Sequence, residues 1–95
     1  MHIISRKTLR LFWEKHPSAK GPLARWFKIV DRSTFDSFNS LRATFPSADQ
    51  VEGLVVFNIG GNKCRLIASI HFNRGKVYIR QVLTHEEYDR GAWKP

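Results

Sequence analysis

Along the first half of the chain apolar residues recur with a helical period, and from residue 54 onward they alternate. Ile3 and Ile4 predict a brief opening strand. Leu9, Phe12, Trp13 and His16 then fall at i, i+3, i+4 and i+7, one face of a helix that Ser5 is placed to cap and Pro17 to stop. Arg6, Lys7, Arg10 and Glu14 take the opposite face of that helix. Leu23, Trp26, Phe27 and Val30 repeat the pattern in a second helix, with Pro22 in its tolerant first turn, so Trp13 and Trp26 are expected in the core. Segment 35–45 is ambiguous beside these two helices, with Phe38, Leu41 and Phe45 at helical spacing and Pro46 closing it. Segments 54–59, 64–72 and 76–83 are rich in Val, Ile, Phe and Tyr. Gly60-Gly61-Asn62 and Asn73-Arg74-Gly75 separate them as hairpin turns. Helices followed by an antiparallel meander predict an α+β domain.

Packing argues for a register in the last hairpin. A two-residue turn at Arg74-Gly75 pairs Phe72 with Val77, Ile70 with Ile79 and Leu66 with Leu83, which makes one face continuously apolar. The other face then pairs His71 with Tyr78, Ser69 with Arg80, Ile67 with Val82 and Arg65 with Thr84, so Arg65, Arg80 and His71 share a surface. A three-residue loop with a glycine bulge at Gly75 is the alternative; it sets Ile70 against Tyr78 and Ala68 against Arg80.

Composition narrows the function. Ninety-five residues suit one domain, 1–95, and three Trp, two Tyr and seven Phe suffice to fill its core. Sixteen Lys and Arg against eight Asp and Glu leave a formal charge of +8, a field that favours a polyphosphate partner. No apolar run approaches the roughly 20 residues that span a bilayer. The opening Met1-His2-Ile3-Ile4-Ser5 lacks the features of a secretory signal, so no membrane association and a cytoplasmic location are expected. A single cysteine, Cys64, allows no internal disulfide. Four scattered histidines offer no metal-binding spacing, so neither metal nor cofactor is expected.

The stretch Val56-Phe57-Asn58-Ile59-Gly60-Gly61-Asn62-Lys63-Cys64-Arg65-Leu66-Ile67-Ala68, followed by Tyr78-Ile79-Arg80-Gln81-Val82-Leu83-Thr84-His85-Glu86-Glu87-Tyr88-Asp89, resembles the signature of the HigB toxin family. Arg42-Ala43-Thr44-Phe45-Pro46-Ser47-Ala48-Asp49 adds a weaker likeness. The resemblance implies a RelE-like fold, an N-terminal helical pair packed on a curved antiparallel β-sheet. It implies a type II toxin masked by a HigA-like helix-turn-helix antitoxin, acting as an mRNA interferase on messenger RNA at the ribosome. The related ParE-like toxins share the fold and poison gyrase, so fold alone leaves open a non-catalytic toxin or a basic RNA-binding module.

Metal-independent RNA cleavage uses the adjacent 2'-hydroxyl as nucleophile. It needs a proton acceptor, cations for the charge gathering on phosphorus, and a proton donor for the leaving 5' oxygen. Arg65 and Arg80 are the expected electrostatic groups, since guanidinium is permanently charged and grips two phosphate oxygens. His85 is the expected proton-transfer group. If the chain turns helical after it, Tyr88 and Asp89 emerge on the same side, Tyr88 to orient the 2'-hydroxyl or stack on a base and Asp89 to fix the imidazole tautomer. Thr84 and Glu87 form a capping box that leaves His85 exposed at the first helical position. Lys63, Asn62, His71, Arg6, Lys7 and Arg10 are candidate RNA-binding residues. His2 and His16 are read as terminal and packing residues, and Cys64 as a small buried hydrophobe.

Overall fold

The structure, a computed structural model, describes residues 1–61 and 63–94. Strand β1 (His2–Ile4) leads into α1 (Arg6–Lys15), a 3-10 turn at Pro17–Ala19, α2 (Lys20–Arg32) and α3 (Phe38–Thr44). Strands β2 (Asp49–Val51), β3 (Leu54–Ile59), β4 (Cys64–His71) and β5 (Lys76–Thr84) follow, and α4 (His85–Arg90) comes last. The sheet runs β1-β5-β4-β3-β2. Every pairing is antiparallel except the outermost, where β1 lies parallel to β5 and the His2 amide donates to the Gly75 carbonyl at 2.8 Å. The α+β reading holds, with two additions: the parallel edge and the short strand β2, whose Asp49-Gln50-Val51 carries too little alternation to announce itself.

Helices α1, α2 and α3 cover one face of the sheet. Leu9 of α1 and Leu23, Trp26 and Val30 of α2 are buried there with Phe57, Cys64, Leu66, Ala68, Val77, Ile79 and Val82 of the strands. Trp26 meets Phe57 edge-on at 5.3 Å and Phe57 meets Phe45 at 5.1 Å, so these rings seat α2 and the α3 terminus on β3. Trp26 is 2% exposed, and truncating it to alanine would cost about 3–5 kcal/mol. Trp13 is only half-buried at the margin, because α1 lies toward the side of this layer and turns just Leu9 fully inward.

Ser5 occupies the predicted cap position without capping through its side chain. Its backbone is left-handed (φ 77, ψ 42), whereas a capping hydroxyl needs extended geometry, and the Ser5 carbonyl closes the turn by accepting from the Thr8 amide at 3.0 Å. His16 stacks on Phe12 at 4.5 Å, as a packing residue does.

Neither register expected for the last hairpin holds throughout. Strand β4 ends at His71; Phe72–Arg74 makes a 3-10 turn and left-handed Gly75 (φ 64, ψ 34) completes a four-residue connection. Phe72 therefore stays packed against the helical core instead of pairing across the hairpin. His71 pairs with Lys76, Ile70 with Val77, Ser69 with Tyr78 and Ala68 with Ile79. A bulge then adds one residue to β5, so that Ile67 pairs with Gln81, Leu66 with Val82 and Arg65 with Leu83. That last frame is the one the glycine-bulge alternative implies, reached by a different route. Val82 turns inward and Leu83 outward, the reverse of the expected alternation.

The outer face carries a second, smaller cluster. Val56, Ile67 and Trp93 are buried there, with Val51, Leu54, Leu83 and Tyr88 against them. Helix α4 and the residues after it thus fold back over the face opposite the other helices.

Candidate active site

Strand β5 delivers the chain to the outer face and α4 starts without a linker. Thr84 accepts from the Glu87 amide at 3.2 Å, and Glu87 returns a carboxylate to the Thr84 amide at 2.9 Å. The bond from the Thr84 amide holds the Glu87 carboxyl below the usual carboxylate range. This box fixes where the first turn of α4 sits on the sheet. His85 is the first helical residue, as the sequence predicts, with its side chain 45% exposed.

Four residues later Asp89 brings Oδ2 to 2.8 Å from His85 Nδ1. With Nδ1 facing a carboxylate, Nε2 is the nitrogen left to exchange a proton with a ligand. Tyr88, on the sheet side of α4, lies under the Arg65 guanidinium, whose Cζ is 5.5 Å from the ring centroid. Arg65 also donates from Nη1 to Asn58 Oδ1 at 2.9 Å and to the Cys64 carbonyl at 3.4 Å. Trp93 stacks on Tyr88 at 4.9 Å, with the planes 14° apart. Beneath Arg65, on the opposite face, the Cys64 thiol is buried, and burial pushes its pKa up to about 11 against the pull of that same cation.

Arg80 falls at the bulge, between residues paired with Ile67 and Ala68, and is exposed. Along the ladder this is two to three residues from Arg65, roughly 8 Å at the strand rise. Arg65 and Tyr88 meet where β4 and α4 come together and His85 stands one turn before Tyr88 on the same helix, whereas Arg80 lies four residues along β5 from Thr84, about 13 Å from the start of α4. The Tyr88 ring is stacked against Trp93 and has the Arg65 guanidinium over it.

The remaining candidates lie elsewhere. His71 packs edge-on against Tyr78 at 5.2 Å, six residues along β4 from Arg65 and so about 20 Å away. Lys63 reaches toward the helical layer, its Nζ 3.4 Å from the Ser18 carbonyl. Asn62 lies outside the described residues. Arg6, Lys7 and Arg10 line a groove of about 520 Å³ between α1 and α2, with Arg6 over the Phe27 ring at 4.6 Å and Arg10 Nε 3.8 Å from Glu14 Oε1. Sequence reasoning missed Asn58, although a lone amide in the apolar run Leu54–Ile59 was a visible signal. For Trp93 it offered only packing against the sheet edge and no functional role, because a tryptophan near a chain end has no periodicity to place it; the ring packs on the outer face with Val56 and Ile67.

Among the described residues no three of His, Cys, Asp and Glu group closely enough to hold a metal ion, and no helix is long and apolar enough to cross a membrane. Residues 19–91 match the family described as HigB_toxin, the RelE-like toxic component of a toxin-antitoxin system. The chain is 41% identical over 92 residues to the mRNA interferase toxin HigB of Escherichia coli strain K12, an alignment covering 94% of this chain and 88% of that one. It is equally similar to the mRNA interferase HigB of Shigella flexneri, and 28% identical over 93 residues to the mRNA interferase HigB of Escherichia coli O6:H1, there covering 95% and 90% of the two chains. A helical layer on one side of the sheet, a capped terminal helix on the other and a match across three-quarters of the sequence agree: the chain belongs to the HigB toxin family, the toxic half of a toxin-antitoxin pair.

Proposed function

We propose that this chain is an endoribonuclease that cuts messenger RNA presented by the ribosome, through attack of the 2'-hydroxyl and without metal or cofactor. The carrying observation is the junction of β5 and α4, where one capping box sets the His85–Asp89 pair and Tyr88 beside Arg65. The relatives named mRNA interferases support the substrate.

In this reading the 2'-hydroxyl loses its proton, its oxygen bonds to phosphorus, and the 5' oxygen leaves and is protonated. The products are a 2',3'-cyclic phosphate and a 5'-hydroxyl. Arg65 and Arg80 offset the charge gathering on the non-bridging oxygens. His85 moves a proton through Nε2, with Asp89 holding the ring, and Tyr88 orients the 2'-hydroxyl. Such a small site depends on something else to hold its substrate in line, a role that suits the ribosome. Lys63, His71 and the α1 cations Arg6, Lys7 and Arg10 supply backbone contacts away from the cut, and Asn62 is a further RNA contact. A HigA-like helix-turn-helix antitoxin restrains the protein, which works in the cytoplasm.

Primer extension on translating ribosomes, with the cut ends analysed, tests this. Cleavage within codons at the A site, with 5'-hydroxyl and cyclic phosphate ends and blocked by a single 2'-deoxy substitution, is the expected result. Arg65→Ala, Arg80→Ala, His85→Ala and Tyr88→Phe should each relieve growth arrest while remaining folded. Intact message alongside inhibited gyrase would replace the reading with a ParE-like one. Intact message bound without cleavage would leave a basic RNA-binding module.

A further inference from the structure

Two residues that the cleavage scheme does not use pack next to this site, Asn58 against Arg65 and Trp93 against Tyr88. Trp93, in the segment after α4, is 8% exposed and rests on Val56 and Ile67 of the outer face. Its indole lies nearly parallel to Tyr88 at 4.9 Å, and its Nε1–H donates to the Tyr88 carbonyl at 2.9 Å. The Arg65 guanidinium lies over that same phenol ring, its Cζ 5.5 Å from the centroid, so indole, phenol and cation pack as one stacked cluster. On its flank the guanidinium donates to Asn58, the residue paired with Arg65 across β3 and β4.

The physical need for such a stack is plain. An arginine on a strand carries rotamer entropy that would otherwise be lost as the transition state forms. A ring face below and an amide oxygen beside restrict the guanidinium beforehand, and electrostatic catalysis depends on charges already in position. The Trp93 hydrogen bond to a backbone carbonyl, added to ring stacking, fixes the phenol both in height and in tilt.

We infer that Trp93 is a positioning residue for the reaction: it acts through the Tyr88 ring on the Arg65 guanidinium, with Asn58 setting the other side, and touches no substrate. The inference rests on the assignment of Arg65 to the cleavage site. A Trp93 that served only to cover apolar surface would matter through stability alone, and the two roles separate in a mutant cycle.

Ribosome-dependent cleavage is measured for Trp93→Leu, which keeps apolar bulk and loses the ring, and for Trp93→Phe, which keeps a ring and loses the N–H. Thermal melts run in parallel. Trp93→Leu should lower kcat about tenfold with KM within about twofold, and Trp93→Phe should recover most of that loss. In an Arg65→Lys background, where no planar cation remains to be held, Trp93→Leu should change the residual rate by less than about twofold. Asn58→Ala, at a half-exposed position, should behave likewise and stands in if Trp93→Leu does not fold. Full kcat in folded Trp93→Leu, or an undiminished loss in the Arg65→Lys background, overturns the positioning role. Wild-type cleavage by Arg65→Lys and Arg65→Ala alone would instead overturn the site assignment beneath it.

Discussion

His85 Nδ1 and Asp89 Oδ2 stand 2.8 Å apart, one turn of α4 from each other, with the side chains about half exposed to solvent. An exposed pair of this kind contributes under about 1 kcal/mol to folding, so its worth has to be sought in which nitrogen it frees. Asp89→Asn should therefore melt close to wild type and cut RNA about tenfold more slowly, read by circular dichroism and by single-turnover cleavage. Unaltered cleavage by this variant would detach Asp89 from the imidazole's function.

The two turn glycines should respond unequally to a methyl group. At Gly60 (φ +61) a Cβ would meet the Pro22 ring at 3.1 and 3.2 Å and the Lys63 side chain at 3.1 Å, and a proline in the first turn of α2 has no way to swing aside. Gly61 (φ +69) has open space. Gly60→Ala should cost about 2–3 kcal/mol in urea denaturation and Gly61→Ala about 1 kcal/mol, the backbone penalty alone. Equal losses would show that the Pro22 contact does not matter.

Alkaline stability should report on Cys64. Folding raises its pKa from 9.0 to about 11, so the fold favours the neutral thiol; that contribution is complete below pH 9 and disappears as the pH climbs toward 11. Wild type should lose on the order of 2 kcal/mol more than Cys64→Ala across this window, measured by denaturant unfolding at each pH. Parallel curves for the two proteins would contradict the assignment.

At the acid end the Thr84–Glu87 box governs α4. The Glu87 carboxyl is depressed by the Thr84 amide, so its contribution is present above the ordinary value of 4.5 and is lost as the pH falls through the lower, folded value. Amide exchange in α4 should quicken in that range before the core strands respond. Glu87→Gln should exchange with much less dependence on pH there. Simultaneous melting of α4 and the sheet would argue against a locally held helix.

Replacing Arg6, Lys7 and Arg10 together by alanine should weaken ribosome association and reduce the slope of log K against log salt by roughly 2–3, with cleavage of bound message retained. An unchanged slope would remove the α1–α2 groove from the RNA-binding surface.

Much of this architecture could be read from the chain. The periods of α1, α2 and the long strands survive because each is set by burial against a single face, and Thr84-x-x-Glu87 announces a helix start that packing merely accepts. What escaped was set by longer-range geometry. Phe72 is apolar and follows a strand, yet the core takes it in a 3-10 turn, a choice that shifts the hairpin frame. Ser5 has the right chemistry for a cap and the wrong backbone. His85, Tyr88 and Asp89 were legible as a group because a helix and a capping motif fix their spacing, whereas Arg65 was grouped by register with Arg80 and His71 and its contact with Tyr88 was not foreseen. The Asn58 and Trp93 contacts need the pairing of β3 with β4 and the fold-back of the last residues, neither of which any local pattern encodes.

The irregularity in β5 sets a rule for how this protein can vary. Because one unpaired position precedes the stretch that ends in Thr84, it is the bulge that keeps Val82 inward, Leu83 outward and α4 on the outer face. Pairing every residue of β5 without it would exchange those two side chains and turn the terminal helix to the other side. Loss of the single Arg80 codon would instead straighten the strand and leave Val82 opposite Leu66 and Leu83 opposite Arg65. The sheet therefore tolerates one residue fewer at this point, at the expense of the cation and not of the placement of α4.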